Sequence, residues 1–218
     1  MLLGREAEAA GIDRLLTSAR GGQGGALLLR GDPGIGKSAL CRYAIERATG
    51  MTHLQVRGLE SEVELPFAGL SVLLAPVIDR LDCIPEPQRV ALAGALGVSS
   101  PVPGDPLTVY AATLTVLAAA AEETPVIVVA DDAHWLDRTS VQALQFVARR
   151  IQADGIVLLL AARPGEAPSL AGSDVPSWSS PAWMPRPRLP FSRRPAGAGS
   201  RGRWASACTR PRPAIHSH

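Results

Sequence analysis

Three short runs of aliphatic residues are the clearest pattern along this chain of 218 residues. They occupy residues 26–29, 126–129 and 156–160, and each run is continuous rather than alternating. Continuous apolar runs of this length are typical of parallel strands that helices cover on both faces. A fourth segment, residues 53–57, alternates between polar and apolar side chains and is a weaker strand prediction. The pattern therefore predicts an α/β fold with a parallel sheet.

Segments with helical spacing lie between these predicted strands. A helix is expected between Ser38 and Gly50, and Pro66 opens another helix that Pro76 should bend or split. Further helices are predicted over residues 89–96 and 106–121 and from Asp137 onward. Helices that alternate with buried parallel strands predict a three-layer architecture, with the sheet in the middle.

A glycine-rich loop follows the first aliphatic run and matches the pattern G-x-x-x-x-G-K-[ST], known as Walker A, at every fixed position. Glycines let the backbone adopt positive φ and bring N–H groups close to phosphate oxygens, and the next helix directs its positive end at the same anion. A chance glycine-rich loop is the alternative, which the strand before it and the helix after it disfavour. The candidate phosphate-binding residues are Gly31, Asp32, Pro33, Gly34, Ile35, Gly36, Lys37 and Ser38.

Lys37 is the single lysine among 22 Lys and Arg residues. A compact ammonium fits between the β- and γ-phosphates better than a planar guanidinium does. Lys37 is therefore expected to neutralise charge on the γ-phosphoryl group during transfer, and the Ser38 hydroxyl to hold Mg²⁺.

Two acids follow the second aliphatic run, in the manner of a Walker B motif. Asp131 is placed to reach the magnesium ion, and Asp132 to orient or activate the attacking water. The alternative is that both are ordinary loop and cap residues. Arg163 follows the third run and is either a sensor of the γ-phosphate or a solvated loop residue.

The composition changes near Pro164. Residues 1–163 carry 14 Lys and Arg against 18 Asp and Glu, whereas residues 164–218 carry 8 arginines, 2 acids and ten prolines. The sequence predicts an ATPase domain over residues 1–165 and a disordered arginine- and proline-rich tail over residues 166–218. The tail is an arm that binds nucleic acid or a partner, a plain disordered terminus, or the product of a change of reading frame near residues 170–178, which we favour.

The start of the chain is interrupted by charged residues and does not look like a signal peptide. The aliphatic runs are also far shorter than the roughly 20 residues that a membrane-spanning helix needs. A cytoplasmic protein that does not contact the membrane is therefore expected.

Four motifs in one order resemble a known family. They are Leu3-Gly4-Arg5-Glu6, the glycine-rich loop at residues 31–38, Glu64-Leu65-Pro66-Phe67-Ala68-Gly69-Leu70, and Asp131-Asp132-Ala133-His134-Trp135-Leu136-Asp137. The chain is similar, over about residues 1–165, to the AAA-like P-loop ATPase domain of the STAND class, the signal-transduction ATPases with numerous domains. The similarity is greatest to the domain found in large LuxR-type transcriptional regulators.

This resemblance implies a slow nucleotide switch that holds ADP at rest and ATP with Mg²⁺ when induced. It implies that Arg5 and Glu6 lie near the adenine, that Asp131 is the magnesium acid, and that Arg163 is the sensor arginine. Self-association through the ATPase domain is a candidate interaction. The lid, the repeats and the DNA-binding helix-turn-helix domain of such regulators have no counterpart in this sequence.

The family's fifth strand is expected soon after Arg163, beside the strand of the glycine-rich loop. The sequence predicts that it is missing unless the tail supplies it, and an incomplete sheet then leaves one exposed edge. Other functions stay open at this point: a truncated fragment that does not catalyse, an interaction protein, a P-loop kinase for a small molecule, and weak DNA binding through the tail.

Overall fold

The computed structural model describes residues 5–100 and 105–164, and also the backbone of residues 177–179. The strands are β1 (Gly25–Arg30), β2 (Thr52–Arg57), β3 (Val126–Asp131), β4 (Ile156–Ala162) and β5 (Ser177–Ser179). The α-helices of the described residues are α1 (Glu6–Arg20), α2 (Lys37–Arg47), α3 (Ala68–Leu74), α4 (Glu86–Ala95), α5 (Pro106–Glu123) and α6 (Arg138–Ala148). Short 3₁₀ helices cover Glu60–Glu62, Ala75–Cys83, Ala133–Trp135 and Ile151–Ala153.

All strands of the sheet pair in parallel, in the order β2-β3-β4-β1-β5. The three continuous aliphatic runs form the inner strands β1, β3 and β4, whose residues are almost all buried. The alternating segment forms β2 at one edge of the sheet, where His53, Gln55 and Arg57 are exposed. The predicted parallel α/β fold is confirmed, and the position of each strand explains its pattern.

Two hydrophobic cores lie on opposite faces of the sheet, as expected of a three-layer fold. Helices α1 and α2 cover one face through residues such as Ile12, Leu16 and Leu40. Helices α3 to α6 cover the other face and form the larger core. The sequence did not predict α1, although its buried residues follow helical spacing.

The fifth strand corrects the expectation that this strand is missing. Residues Ser177–Ser179 pair in parallel with Leu28–Arg30 of β1, so a segment of the predicted tail supplies a strand of three residues. This strand lies beyond the predicted domain end at residue 165, and its pairing covers part of the edge that was expected to be exposed. The other features predicted for the tail lie outside the described residues.

The helix predicted after Pro66 is split, as expected from Pro76. Helix α3 ends at Leu74 and continues as the 3₁₀ helix Ala75–Cys83, in which Val77 leaves helical geometry with φ −123° and ψ 21°. The break arises because proline has no N–H for the helical ladder and its ring crowds the preceding turn.

The Asp137 carboxylate joins two distant segments of the chain. It caps α6 by accepting a hydrogen bond of 2.8 Å from the Ser140 N–H, and the Thr139 hydroxyl donates to it at 2.6 Å. It also accepts from the N–H groups of Phe67, at 2.9 Å, and Gly69, at 3.1 Å, at the start of α3. One buried carboxylate therefore satisfies terminal N–H groups of two helices, which helices otherwise leave unpaired.

The surroundings of Asp137 lower its pKa. Burial of the side chain on its own raises the pKa, but the hydrogen bonds from Ser140, Thr139 and Gly69 outweigh burial and hold the pKa below its usual value. The ionised form is thus the one that the folded protein stabilises.

We expect Asp137→Ala to lower the free energy of unfolding by about 3 kcal/mol, because it strands several buried N–H donors. The matched control is Asp105→Ala, which removes an exposed cap with one hydrogen bond, to the Leu107 N–H at 3.0 Å, and should cost about 1 kcal/mol. Urea denaturation of both variants measures the difference. Equal losses in the two variants would contradict the role given to Asp137.

The pH dependence of stability supplies a second test. The stabilisation by Asp137 should be complete above its unfolded pKa of about 4 and should disappear as the pH falls through its lower folded pKa. The stability difference between the wild type and Asp137→Asn should therefore be constant from about pH 7 to 5 and shrink below about pH 4. Urea denaturation across this pH range measures it, and a difference that grows on acidification would show that Asp137 is protonated in the folded protein.

Candidate functional site

The glycine loop, residues 31–36, connects β1 to α2 in a conformation that requires glycine. Gly34 has φ +78° and Gly36, the N-terminal cap residue of α2, has φ +97°. Both values lie in the left-handed region, where side chains are strained, although a Cβ at either position would meet open space. The glycines therefore allow the backbone conformation that connects the loop to the N-terminus of α2, which is the positive end of the helix.

Lys37, the first residue of α2, folds its side chain back over the loop. Its buried ammonium donates hydrogen bonds to the carbonyl oxygens of Gly31, at 2.8 Å, and Asp32, at 3.0 Å. A buried ammonium needs such acceptors because desolvation of a charge is costly. Lys37 thus holds the loop in shape while it keeps its own charge paired.

Arg5 reaches the same loop from the start of α1. Its Nη2 atom donates to the Ile35 carbonyl oxygen at 2.6 Å, and its Nη1 atom pairs with the buried Glu8 carboxylate at 3.3 Å. Glu6 is exposed in the first turn of α1. The preceding residues of that motif, Leu3 and Gly4, lie outside the described residues.

The two predicted acids lie at the carboxyl end of β3. Asp131 is the last residue of β3, and its Oδ1 atom accepts a hydrogen bond of 2.9 Å from the Asp132 N–H. Asp132 adopts the left-handed conformation, with φ 48° and ψ 42°, and this turns its side chain out of the strand direction.

Arg57 is a residue of the site that was not singled out from the sequence. It ends β2 directly opposite Asp131 in the sheet, and its guanidinium forms an ion pair of 3.0 Å with the Asp132 carboxylate. Its position in the sequence could have identified it. Arg57 is the last residue of β2, the strand next to β3, so it lies at the same carboxyl edge of the sheet as the two acids.

These residues enclose two adjoining cavities. A cleft of about 290 Å³ is lined by Pro33, Gly34, Gly36, Lys37, Ser38, Ala39, Arg57, Asp132 and Arg163. A groove of about 500 Å³ continues from Ser38 and Arg57 past Asp131, between α2 and the strands β2 and β3. The structure thus brings together the loop, the cations of Lys37, Arg57 and Arg163, and both acids. Arg5 and Glu6 are not among the described residues that line the cleft.

Cys41 lies beneath the site on α2. Burial raises the pKa of its thiol to about 12, together with a contribution from the negative charges of Asp131 and Asp132 that Lys37 partly offsets. The thiol is therefore protonated near neutral pH and is a packing residue here rather than a nucleophile.

Gly58 lets the chain leave β2 close to the acid-bearing loop. A Cβ at this position would lie 2.3 Å from the Asp132 carbonyl oxygen, 2.8 Å from the Trp135 carbonyl carbon and 2.9 Å from the Leu136 nitrogen. All three are backbone atoms, so the contact cannot be relieved by a side-chain rotation. Glycine is required because two backbone segments touch.

We expect Gly58→Ala to destabilise the protein by about 1–3 kcal/mol, because it forces the Asp132 backbone away from β2. The control is Gly21→Ala, where φ is −88° and a Cβ would lie 3.3 Å from the Ser18 carbonyl oxygen. Thermal unfolding of the two variants measures the difference. Wild-type stability of Gly58→Ala would show that the two segments are not tightly packed.

The parts of the chain that the structure describes contain neither a cluster of metal-binding side chains nor a membrane-spanning helix. No group of three or more His, Cys, Asp or Glu side chains there is arranged to hold a metal ion. In the same residues, no helix combines the length and apolar character needed to cross a membrane.

The fold and the cleft are of the P-loop ATPase domain class, with the loop between β1 and α2 and the acids at the end of β3. The chain belongs to the family of AAA ATPase domains, because the model of that family matches residues 1–160. This family assignment confirms the coarser part of the resemblance seen in the sequence, the AAA-like ATPase domain.

Among curated proteins, the chain is 27% identical over 193 residues to an uncharacterised protein of Rhizobium meliloti (strain 1021). This alignment covers 76% of the chain but only 19% of the relative, so the chain spans about a fifth of that protein's length.

Among solved structures, it is similar to chains in the structures of Drosophila ORC bound to GC-rich DNA and Cdc6 and to AT-rich DNA and Cdc6. Both have a TM-score of 0.41 and 17% identity, and the matches cover 80% of this chain and 58% and 57% of those chains.

Proposed function

We propose that this chain binds ATP with Mg²⁺ and hydrolyses it slowly. The observation that carries the proposal is the convergence of the glycine loop, Lys37, Ser38, Asp132 and Arg163 on one cleft, with Asp131 on the adjoining groove. In this proposal the glycines let the loop direct backbone N–H groups at the cleft, and Lys37 adds a positive charge beside them. Both features suit the binding of a chain of phosphates.

The available oxygen ligands suit Mg²⁺ held partly by the nucleotide. Ser38 and Asp131 both line the groove and offer a hydroxyl and a carboxylate, the hard ligands that Mg²⁺ prefers. Magnesium commonly takes one or two protein ligands and completes its shell with phosphates and water, which fits a site without a cluster of three acids. Bound there, the ion would neutralise charge on the β- and γ-phosphates.

The remaining side chains have separate roles in this proposal. Lys37 leaves its loop carbonyls and pairs with the β- and γ-phosphates, and Arg163 senses the γ-phosphate from the end of β4. Asp132 orients the attacking water. Arg57 competes with that water for the Asp132 carboxylate, and this competition supports slow rather than rapid turnover.

The wider context is a nucleotide switch in a larger regulator. The relative from Rhizobium meliloti is about five times as long as the matched region, which agrees with an ATPase domain that works beside other domains. The motifs of the STAND class support a switch between ADP-bound and ATP-bound states in a LuxR-type transcriptional regulator, with residues 1–165 as the ATPase domain. Self-association through this domain is part of the same proposal.

Nucleotide binding and hydrolysis can be tested separately in the full chain. We expect Lys37→Ala to weaken ATP binding at least about tenfold, because a charge-assisted hydrogen bond is worth roughly 1.5–3 kcal/mol. Asp132→Asn should keep the wild-type affinity but lower the hydrolysis rate at least about tenfold. Calorimetry with and without Mg²⁺ measures binding, and release of phosphate measures turnover.

The control for both variants is Arg14→Ala, which removes an exposed charge on α1 and should change neither quantity. A folded wild-type protein that binds neither ATP nor ADP would overturn the proposal. ATP consumption that depends on an added phosphoryl acceptor would instead favour a small-molecule kinase.

A further inference from the structure

The contact between Arg5 and the glycine loop assigns Arg5 a role that the sequence did not predict. We propose that Arg5 is a positioning residue that fixes the peptide between Ile35 and Gly36, so that the Gly36 N–H faces the phosphate chain. This inference rests on the proposed nucleotide binding, and it differs from the contact with adenine that the family resemblance implied for Arg5.

The geometry of the peptide bond links the two groups. Arg5 donates to the Ile35 carbonyl oxygen at 2.6 Å, and that carbonyl shares one planar trans peptide with the Gly36 N–H. In a trans peptide these two groups point in opposite directions, so a guanidinium on the carbonyl directs the N–H away from Arg5. Gly36 lines the cleft, whereas Arg5 does not line it. The N–H is thereby presented on the side where phosphate is proposed to bind.

A loop carbonyl turned into the cleft would repel a phosphate, so the loop needs its carbonyls held elsewhere. Lys37 holds those of Gly31 and Asp32, but in the proposed function its ammonium moves to the phosphates. Arg5 reaches the Ile35 carbonyl without being among the residues that line the cleft, so phosphates can bind there without breaking this hydrogen bond. It can keep the Ile35 carbonyl in place whether or not nucleotide is bound.

Arg5 is itself held by a rigid support. The Glu8 carboxylate, whose side chain is 7% exposed, pairs with Arg5, and both residues belong to the start of α1. Farther along, Asp13 of α1 accepts hydrogen bonds from Tyr43, at 2.9 Å, and Arg47, at 3.2 Å, both on α2. Because α2 begins at the glycine loop, the two helices form one frame around it.

The side chain must be arginine for this arrangement. The guanidinium has donors on two terminal nitrogens and uses one for Ile35 and the other for Glu8 at the same time. A lysine presents a point charge on a flexible stem and does not reproduce this fork. Arg5→Lys should therefore keep the positive charge but hold the peptide between Ile35 and Gly36 much less firmly.

The decisive experiment compares two ligands, ATP and inorganic tripolyphosphate, the second of which lacks the base. We expect Arg5→Lys and Arg5→Ala to lower the affinity for both ligands by a similar factor of about tenfold, since each substitution removes a charged hydrogen bond to the loop. Arg14→Lys, on the exposed side of the same helix, should change neither affinity. Calorimetry measures the affinity of the wild type and of the three variants for each ligand. A loss for ATP with unchanged binding of tripolyphosphate would overturn the inference and show that Arg5 contacts the base.

A second readout does not depend on nucleotide. Without ligand, amide hydrogen exchange of the peptide that covers residues 31–40 should be faster in both Arg5 variants than in the wild type and Arg14→Lys, because the loop is less restrained. Unchanged exchange in the Arg5 variants would overturn the positioning role.

The two arms separate the two proposals. A wild-type chain that binds neither ATP nor tripolyphosphate refutes the proposed function and, with it, a role for Arg5 in phosphate binding. Faster exchange in the variants would then establish Arg5 as a restraint on the loop alone.

Discussion

The parallel pairing of the strands is the constraint on which the site depends. Parallel strands end at one edge of a sheet, and the register here sets Arg57 beside Asp131 and Arg30 beside Ala162. The chain keeps this alignment for one residue more, since the Gly58 N–H donates to the Asp131 carbonyl oxygen at 2.9 Å and the Gly31 N–H to that of Ala162 at 3.4 Å. The glycine loop, the acids and Arg163 therefore leave the sheet side by side, although Gly31 and Ala162 are 131 positions apart in the sequence.

The Asp137 carboxylate fixes the other end of the segment that carries the acids. Residues 131–137 begin at the carboxyl end of β3. They end at Asp137, whose buried carboxylate accepts hydrogen bonds from the backbone N–H groups of Phe67 and Gly69. Between these two points, Gly58 lets β2 contact the Asp132 backbone directly. The motif around residues 64–70 and the motif at residues 131–137 therefore occur together in the sequence because they are two halves of one contact. Their joint presence is therefore a requirement of packing.

The sequence predicted the features that local chemistry determines. Continuous aliphatic runs identified β1, β3 and β4, because a strand covered on both faces has no polar positions, and the left-handed glycines of the loop followed from one pattern. Features that arise only when distant segments meet were not predicted. The ion pair between Arg57 and Asp132 spans 75 residues, and the hydrogen bond from Arg5 to Ile35 spans 30. The motif around Arg5 marked this arginine as a candidate site residue, but the local sequence identified the partner of neither arginine. The strand at Ser177–Ser179 was missed because three residues without aliphatic side chains carry no periodic signal.

Two of the cations that line the cleft, Arg57 and Lys37, are hydrogen bonded to protein groups in this structure, but they are not held equally. Arg57 is 72% exposed, and an ion pair in that setting is worth at most about 1 kcal/mol, so releasing the Asp132 carboxylate costs little. Lys37 is buried, and its ammonium can leave two loop carbonyls only for a partner that satisfies it at least as well, which a doubly charged phosphate group does. The loop is thus already shaped for an anion, whereas the carboxylate that would act on water must first be freed. In the proposed function, affinity and turnover would therefore depend on different side chains, and this separation would let a bound triphosphate persist as a signal.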